Sequence, residues 1–351
     1  MIQSKVKIWL KPLLLAAVTA IIARIFVQSY VMTDSHMERT LMKGDYVIVN
    51  RCAYGFRLPM TFLALPLNNN RIPFTDIPSY HIFTVFPYKR IMTSIPERMD
   101  VVAYNLPLAD ELPVDLRPIK VSRLVGLPGD TVAVVNKKLF VNKVLMDRDL
   151  SNLLFQYRIV TDGTYFKQTL LDSMGVKGKL VSDLGVYDFY LTPTQAAYFE
   201  TLPYVKYVRE VTGYKGYNAM RYFPVNSSFF GWNKDYFGPV VVPYKGLTVQ
   251  INFSNIDLYK RIIRNYEGND LKVDIYKKKV FINGEEARFY TFKKDYYFIM
   301  DDNRDNAYDS RYFGFLPEDH IIGQVNFVWF SIIKKSDGYD INWSRMFKKV
   351  D

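Results

Sequence analysis

The residues of this 351-residue chain that could do chemistry are concentrated between Met300 and Gly314, where six of fifteen side chains are charged. Aspartate and arginine alternate at short range there, and the planar guanidinium of arginine pairs well with a carboxylate. Aromatic and β-branched runs precede this segment (295–300) and follow it (325–330). We therefore predict a polar loop between two strands, with side chains that pair with one another rather than with solvent.

A calcium site is the first chemistry to test against this loop. Asp301, Asn303 and Asp305 have the spacing that opens an EF-hand calcium loop. However, Asn306 stands at the position where that loop requires glycine, and Tyr312 stands where it ends in glutamate. The sequence therefore predicts no metal here, and no other cofactor.

The loop resembles a known family signature. Residues 302–306 and 309–312, with Gly314, are similar to the last motif of the bacterial type I signal peptidases. Members of that family are membrane-anchored serine endopeptidases that remove leader peptides from exported proteins. Two positions depart from the family pattern: Asp301 stands where glycine is usual, and Ala307 where a serine is usual.

A second family motif lies upstream, where the family has Ser-Met-x-Pro-Thr-Leu-x-x-Gly-Asp. The residues that keep its spacing without a gap are Met37, Thr40, Leu41, Gly44 and Asp45. The serine before the methionine is the family's nucleophile, and this chain has His36 there. Arg39 replaces the proline.

A third motif, similar to Lys-Arg-x-x-Gly-x-Pro-Gly-Asp, spans 122–130. The residues that match it are Arg123, Gly126, Pro128, Gly129 and Asp130. Ser122 occupies the position of the family's general-base lysine. Lys120 lies two residues earlier on the same face of the predicted strand, and its amine would have to reach roughly 6 to 7 Å further along that strand.

Three positions that carry the family's chemistry are thus changed: nucleophile (His36), base (Ser122) and orienting serine (Ala307). Hydrolysis by a Ser/Lys pair needs a hydroxyl held against a neutral amine. The leading hypothesis is therefore a catalytically silent member of the family. The charged residues that remain are interpreted as structural pairs, with Asp309 and Arg311 pairing to Arg123; the set is Arg123, Asp302, Arg304, Asp309, Ser310 and Arg311.

Three alternatives stay open. Ser122 could attack with His36 as base, since imidazole has a pKa of about 6.5. Ser35 could be the nucleophile, although adjacent residues of an extended strand point to opposite faces. The chain could also be a binding or accessory module that holds leader peptides or pairs with an active signal peptidase.

Composition narrows the class of partner. The chain carries 46 Lys and Arg against 35 Asp and Glu, a net charge of +11, which suits an anionic membrane surface or nucleic acid. No zinc-finger, RNP-like or basic-helix pattern is present, so we predict a membrane partner and no nucleic acid. The single Cys52 excludes an internal disulfide.

The N-terminus favours an anchor in the inner (cytoplasmic) membrane. Residues 1–11 contain three lysines and are predicted to be cytoplasmic. Residues 12–32 are mostly apolar and, at 21 residues, long enough to span a bilayer as a helix, although Arg24 costs a few kcal/mol at depth. A cleavable signal peptide is the alternative, but no small-x-small cleavage site follows.

For the remainder we predict a mainly β fold. Alternating segments around Val47, Val101, Leu124 and Val328 indicate an antiparallel β core. We predict three units after the anchor: a signal-peptidase-like core (33–141 and 296–335), a β-rich insert (142–295) and a C-terminal tail (336–351). The large extracytoplasmic part would thus contain two β-rich units.

Overall fold

The computed structural model describes residues 26–58, 60–61, 87–146, 151–217, 221–335 and 338–350. The strands are β1 (Val27–Val31), β2 (Asp45–Asn50), β3 (Phe56–Arg57), β4 (Arg90–Ile91), β5 (Val101–Asn105), β6 (Ile119–Gly126), β7 (Thr131–Val135), β8 (Lys138–Val141), β9 (Val144–Leu145), β10 (Phe155–Thr161), β11 (Lys177–Ser182), β12 (Val186–Leu191), β13 (Val205–Glu210), β14 (Tyr236–Val241), β15 (Thr248–Gln250), β16 (Leu271–Asp274), β17 (Lys279–Ile282), β18 (Glu285–Glu286), β19 (Phe289–Thr291), β20 (Tyr296–Met300), β21 (Leu316–Pro317), β22 (Ile321–Lys335), β23 (Gly338–Ile341) and β24 (Lys348–Lys349). The α-helices are α1 (Gln168–Ser173), α2 (Pro193–Glu200), α3 (Ile256–Arg261), which continues as a π-helix (Ile262–Tyr266), and α4 (Ser310–Phe313). Single 3-10 turns lie at Val114–Leu116, Glu318–His320 and Trp343–Arg345.

The main sheet has nine strands in the order β1-β2-β22-β5-β6-β20-β21, with β23 and β24 also pairing to β22. All of its pairings are antiparallel. The prediction of a mainly β, antiparallel fold is therefore confirmed. Register shifts interrupt the β2–β22 pairing twice, and such bulges increase the local twist of a sheet.

The predicted membrane helix was wrong at its C-terminal end. Residues 27–31 form β1, which pairs antiparallel with β2, and Ser29 lies opposite Ile48. The alternating exposure along β1 fits a strand with one buried face. Residues 12–25 of the predicted anchor lie outside the described residues, within which no helix is long and apolar enough to cross a membrane.

One apolar cluster underlies the strands that carry the family motifs. Met37 and Leu41 are buried in it, with residues from β2, β5 and β22. The carboxylate of Asp45 accepts hydrogen bonds from Arg345 and Ser331, so the motif's last residue is tied to the C-terminal part of the chain. The turn that follows β1 is thereby fixed against the sheet.

Residues 155–210 form a sheet of their own, in the order β11-β12-β10-β13. Its core is aromatic, with the ring of Phe166 in contact with those of Tyr187, Phe189 and Phe199. Helices α1 and α2 lie within the same stretch of chain, and Thr192 caps α2 with a capping box. We call this unit, residues 155–210, the inserted sheet.

The rest of the predicted insert joins the core instead. Strand β14 pairs with β7, and Phe237 packs against Phe298 of β20 with ring centroids 5.4 Å apart. Buried residues from 125–141 and from 223–315 share one apolar cluster. Residues 142–295 therefore contribute to two packing units.

Candidate active site

The acidic loop is held by Asp302 and Arg123. The Arg123 guanidinium donates to both carboxylate oxygens of Asp302, at 2.8 and 2.7 Å, and to the Met99 carbonyl at 2.9 Å. Thr40 of the upstream motif donates to Asp302 at 2.5 Å. The expected pairing of Arg123 with Asp309 and Arg311 was thus wrong, because Asp302 offers Arg123 a bidentate partner instead.

Asp309 and Arg311 pair with each other. Arg311 donates to the two Asp309 oxygens at 3.0 and 2.8 Å, and Asp309 also caps helix α4 by accepting from the Arg311 backbone N–H. A further guanidinium N–H donates to the Arg304 carbonyl at 2.8 Å. Ser310 accepts from the Ile299 N–H at 3.0 Å, which ties the helix to β20.

Asp305 joins the loop to the inserted sheet. Its carboxylate accepts from Lys137 at 2.5 Å, from the Gln156 backbone N–H at 2.7 Å and from Lys234. Leu154 forms a β-bridge with Asn303 immediately before β10. The loop and the inserted sheet are therefore in direct contact beside the site.

The segment that carries His36 is a turn, not an extended strand. The Glu38 N–H donates to the Ser35 carbonyl at 3.2 Å, and the Leu41 N–H to the Met37 carbonyl at 2.7 Å. Asn303 donates its backbone N–H to the His36 carbonyl at 2.8 Å. This last bond holds the turn against the acidic loop.

The His36 imidazole lies between two carboxylates. Its Nδ1 is 3.7 Å from Asp34 Oδ1 and 3.8 Å from Asp301 Oδ2. Burial lowers the pKa of His36, and the charge of Asp34 acts against that shift. The ring is therefore neutral near pH 7.

Ser122 is brought next to the same carboxylate. Its hydroxyl donates to Asp301 Oδ1 in a short hydrogen bond, and Ser122 is only 1% exposed. The Tyr308 N–H donates to Asp301 Oδ2 at 3.0 Å. Burial, followed by the negative charge of Asp309, raises the pKa of Asp301 to about 7. Asp301 therefore lies between His36 and Ser122, the residues predicted at the family's nucleophile and base positions.

Lys120 does not replace the missing amine. Its Nζ forms an ion pair with Asp34 at 2.5 Å. The Lys120 amine is thus engaged by a carboxylate rather than by a hydroxyl that it could activate. Lys120 and Ser122 both lie on β6, and a period of two places them on the same face of that strand.

Ser35 faces a different part of the site. Its hydroxyl accepts from Asn306 Nδ2 at 3.0 Å, and its carbonyl accepts from Asn303 Nδ2 at 3.1 Å. Among the hydrogen bonds of the described residues, none joins the Ser35 hydroxyl to a lysine or histidine. Ser35 lines a cleft of about 350 Å³ that also contacts Lys177 of the inserted sheet.

Sequence reasoning missed two carboxylates of the site. Asp301 was considered as a calcium ligand, which was rejected, and as a departure from glycine, although a carboxylate in place of a glycine required a partner. Asp34 carried no signal, because its partners Lys120 and His36 are defined by the fold. Ala307, predicted at the orienting-serine position, is partly buried beside Tyr308, whose N–H donates to Asp301.

The comparison with protein families decides what this geometry belongs to. The model of the family described as signal peptidase, peptidase S26, matches residues 6–176 and 239–330. The chain belongs to that family. The stretch between the matched segments, 177–238, begins at β11 of the inserted sheet.

Individual relatives agree with this family. Signal peptidase I of Buchnera aphidicola (subsp. Baizongia pistaciae) is 23% identical over 327 residues, which cover 90% of this chain and 73% of the relative. Signal peptidase I of Rickettsia bellii is 22% identical over 323 residues, covering 92% and 72%. Signal peptidase I of Helicobacter pylori (strain J99) is 27% identical over 131 residues, covering 34% and 45%.

Proposed function

We propose that this signal peptidase family protein acts in the processing of exported proteins by binding leader peptides without cleaving them through a Ser/Lys pair. Family membership supports the leader-peptide part. The single observation that carries the silent part is the Asp301 carboxylate, which contacts Ser122 and lies 3.8 Å from His36. The site thus contains a carboxylate where the family chemistry requires a neutral amine.

The swapped pair, Ser122 attacking with His36 as base, is disfavoured by the same contacts. Ser122 donates its hydroxyl hydrogen to Asp301, and the residue is almost fully buried. A general base must lie within hydrogen-bonding reach of the proton it removes. His36 has its Nδ1 directed at two carboxylates instead.

Ser35 as nucleophile is disfavoured by the partner of its hydroxyl. Asn306 donates to it, and an amide N–H cannot accept a proton. A binding or accessory role beside an active signal peptidase is compatible with the structure and is the form of the proposal that we favour. The protein is proposed to be associated with the inner membrane through its N-terminal segment, with the described part on the extracytoplasmic side.

The test uses detergent-solubilised full-length protein and a purified preprotein, with an active signal peptidase I as positive control. Saturable preprotein binding without cleavage is the expected result. Cleavage that Ser122→Ala abolishes would replace the silent model with the swapped pair. Cleavage that only Ser35→Ala abolishes would identify Ser35 as the nucleophile.

The accessory role has its own readout. The same preprotein is presented to the active enzyme with and without this protein. A change in cleavage rate or in the choice of preprotein supports the accessory role. Absence of both binding and any effect on the active enzyme would refute the proposed function.

A further inference from the structure

Two clefts separate the inserted sheet from the core, and they meet at one strand edge. The larger cleft, about 1490 Å³, lies between core residues such as Met32 and Ile332 and insert residues such as Val176 and Phe189. The smaller cleft, about 350 Å³, reaches Ser35. Both are lined by Gly175, Lys177 and Gly178, at the start of β11. We call the two clefts together the trough.

Strand β11 is an edge strand, with β12 as its neighbour within the described sheet. Two apolar side chains on it are exposed, Leu180 by 39% and Val181 by 46%. Natural proteins usually protect such an edge with charges, prolines or cover. The charged residues of this edge are Lys177, whose amine is paired at 2.8 Å with Glu38 in the turn after His36, and the exposed Lys179.

The chemistry of the trough changes along its length. The larger cleft has apolar side chains on both walls, interspersed with polar ones, whereas most side chains that line the smaller cleft are amides and charged groups, among them Gln156, Asn303 and Asn306. The larger cleft exceeds the roughly 300–1,000 Å³ typical of small-molecule pockets. An edge strand beside such a space fits β-augmentation, in which an extended peptide adds a strand.

We propose that the trough binds an extended preprotein segment that pairs with the free edge of β11, its apolar residues in the larger cleft and its polar residues beside Ser35. This inference rests on the proposed function, because the leader peptide and the first mature residues are the segment that it assigns. The inserted sheet is then a recognition element. The Lys177–Glu38 ion pair sets its distance from the turn that carries His36.

The test places the photoreactive residue p-benzoylphenylalanine at single positions of the full-length protein. Lys179 of β11 is the test position. Lys206 of β13, exposed on the opposite edge strand of the same sheet, is the matched control. Thr33, on the core side of the larger cleft, reports binding that does not involve the inserted sheet. The probe is a synthetic peptide with a leader-peptide C-terminal region followed by the first mature residues.

Saturable crosslinking from Lys179 and Thr33, but not from Lys206, is the expected result. Leu180→Lys should weaken peptide binding by up to about fivefold, whereas Tyr207→Lys on β13 should leave it unchanged. Crosslinking from Thr33 without Lys179 would overturn the edge pairing and leave leader-peptide binding intact. A crosslink from Lys179 to the protein's own chain or to a second copy would also overturn it, and a peptide that binds nowhere would refute the proposed function as well.

Discussion

Restoring the three changed catalytic positions should not restore catalysis while Asp301 remains. The triple variant His36→Ser, Ser122→Lys, Ala307→Ser recreates the family's nucleophile, base and orienting hydroxyl. Its amine must lie between positions 122 and 36 to serve the new hydroxyl. That space holds the Asp301 carboxylate, with Oδ1 at Ser122 and Oδ2 3.8 Å from His36.

The size of the effect depends on the distance between the new amine and the Asp301 carboxylate, and an amine as close to that carboxylate as His36 Nδ1 would lie 3.8 Å from it. An ammonium and a carboxylate about 4 Å apart attract by about 4 kcal/mol at an effective dielectric constant of about 20. Because one pKa unit corresponds to about 1.4 kcal/mol, the lysine pKa rises by about 3 units. The neutral amine that could act as a base becomes about 1,000-fold rarer. The Ser/Lys mechanism requires the opposite shift.

The assay compares cleavage of a preprotein by four purified full-length variants, each checked for an unchanged circular dichroism spectrum. The triple variant should stay at background, and adding Asp301→Gly should raise its rate by up to about 1,000-fold. Adding Asp301→Asn instead separates charge from space, since asparagine is neutral but similar in size. The quadruple variant with His36→Ala in place of His36→Ser is the inactive control. If the triple variant is as active as the variant that also carries Asp301→Gly, then Asp301 does not hold the amine charged.

Three further predictions concern stability. Asp302→Ala should destabilise the protein by about 3–5 kcal/mol, because it removes the bidentate partner of the buried Arg123 guanidinium. The control is Glu286→Ala, which removes the exposed partner of Lys279 and should leave the melting temperature unchanged. Asp301→Asn should stabilise the protein increasingly as pH rises from about 4 toward 7. The reason is that a folded pKa of about 7 makes the folded state bind more protons than the unfolded chain over that window. A difference in urea midpoint between variant and wild type that does not grow with pH would contradict this. Burial lowers the pKa of His320, so stability should fall as pH drops below about 6.5, where the unfolded chain binds the extra proton. His320→Gln should reduce this loss of stability at acid pH, measured as the urea midpoint against pH. An unchanged dependence of the midpoint on pH would show that His320 does not cause it.

The expected behaviour of His320 rests on a tautomer that its neighbours define. Arg117 donates to Nε2 across 3.2 Å, since a guanidinium has no acceptor, and Nδ1–H donates to Asp319 at 2.7 Å. Protonation would place a hydrogen on Nε2 against the Arg117 donor. The neutral ring is therefore the form that the folded protein keeps.

Local patterns in the sequence determined much of this protein. The β class followed from alternating apolar segments, since one buried sheet face imposes a period of two. The family followed from motifs and their spacing, and the same motifs predict that His36, Ser122 and Ala307 stand at changed catalytic positions. The charged loop was expected to pair internally. Asp309 and Arg311 do so, whereas Asp302 and Asp305 pair with basic residues outside the loop.

Tertiary structure decided which groups touch. Ser122 and Asp301 are 179 residues apart in the chain and become neighbours only because β6 pairs with β20. Lys120 with Asp34 and Lys177 with Glu38 are also far apart in the chain, and the fold brings them together without pairing of the strands that carry the lysines. Local periodicity specifies which face of a strand is buried but not which strand lies beside it. For this reason the sequence predicted which positions of the family's catalytic residues are changed, and only the fold placed a carboxylate between His36 and Ser122.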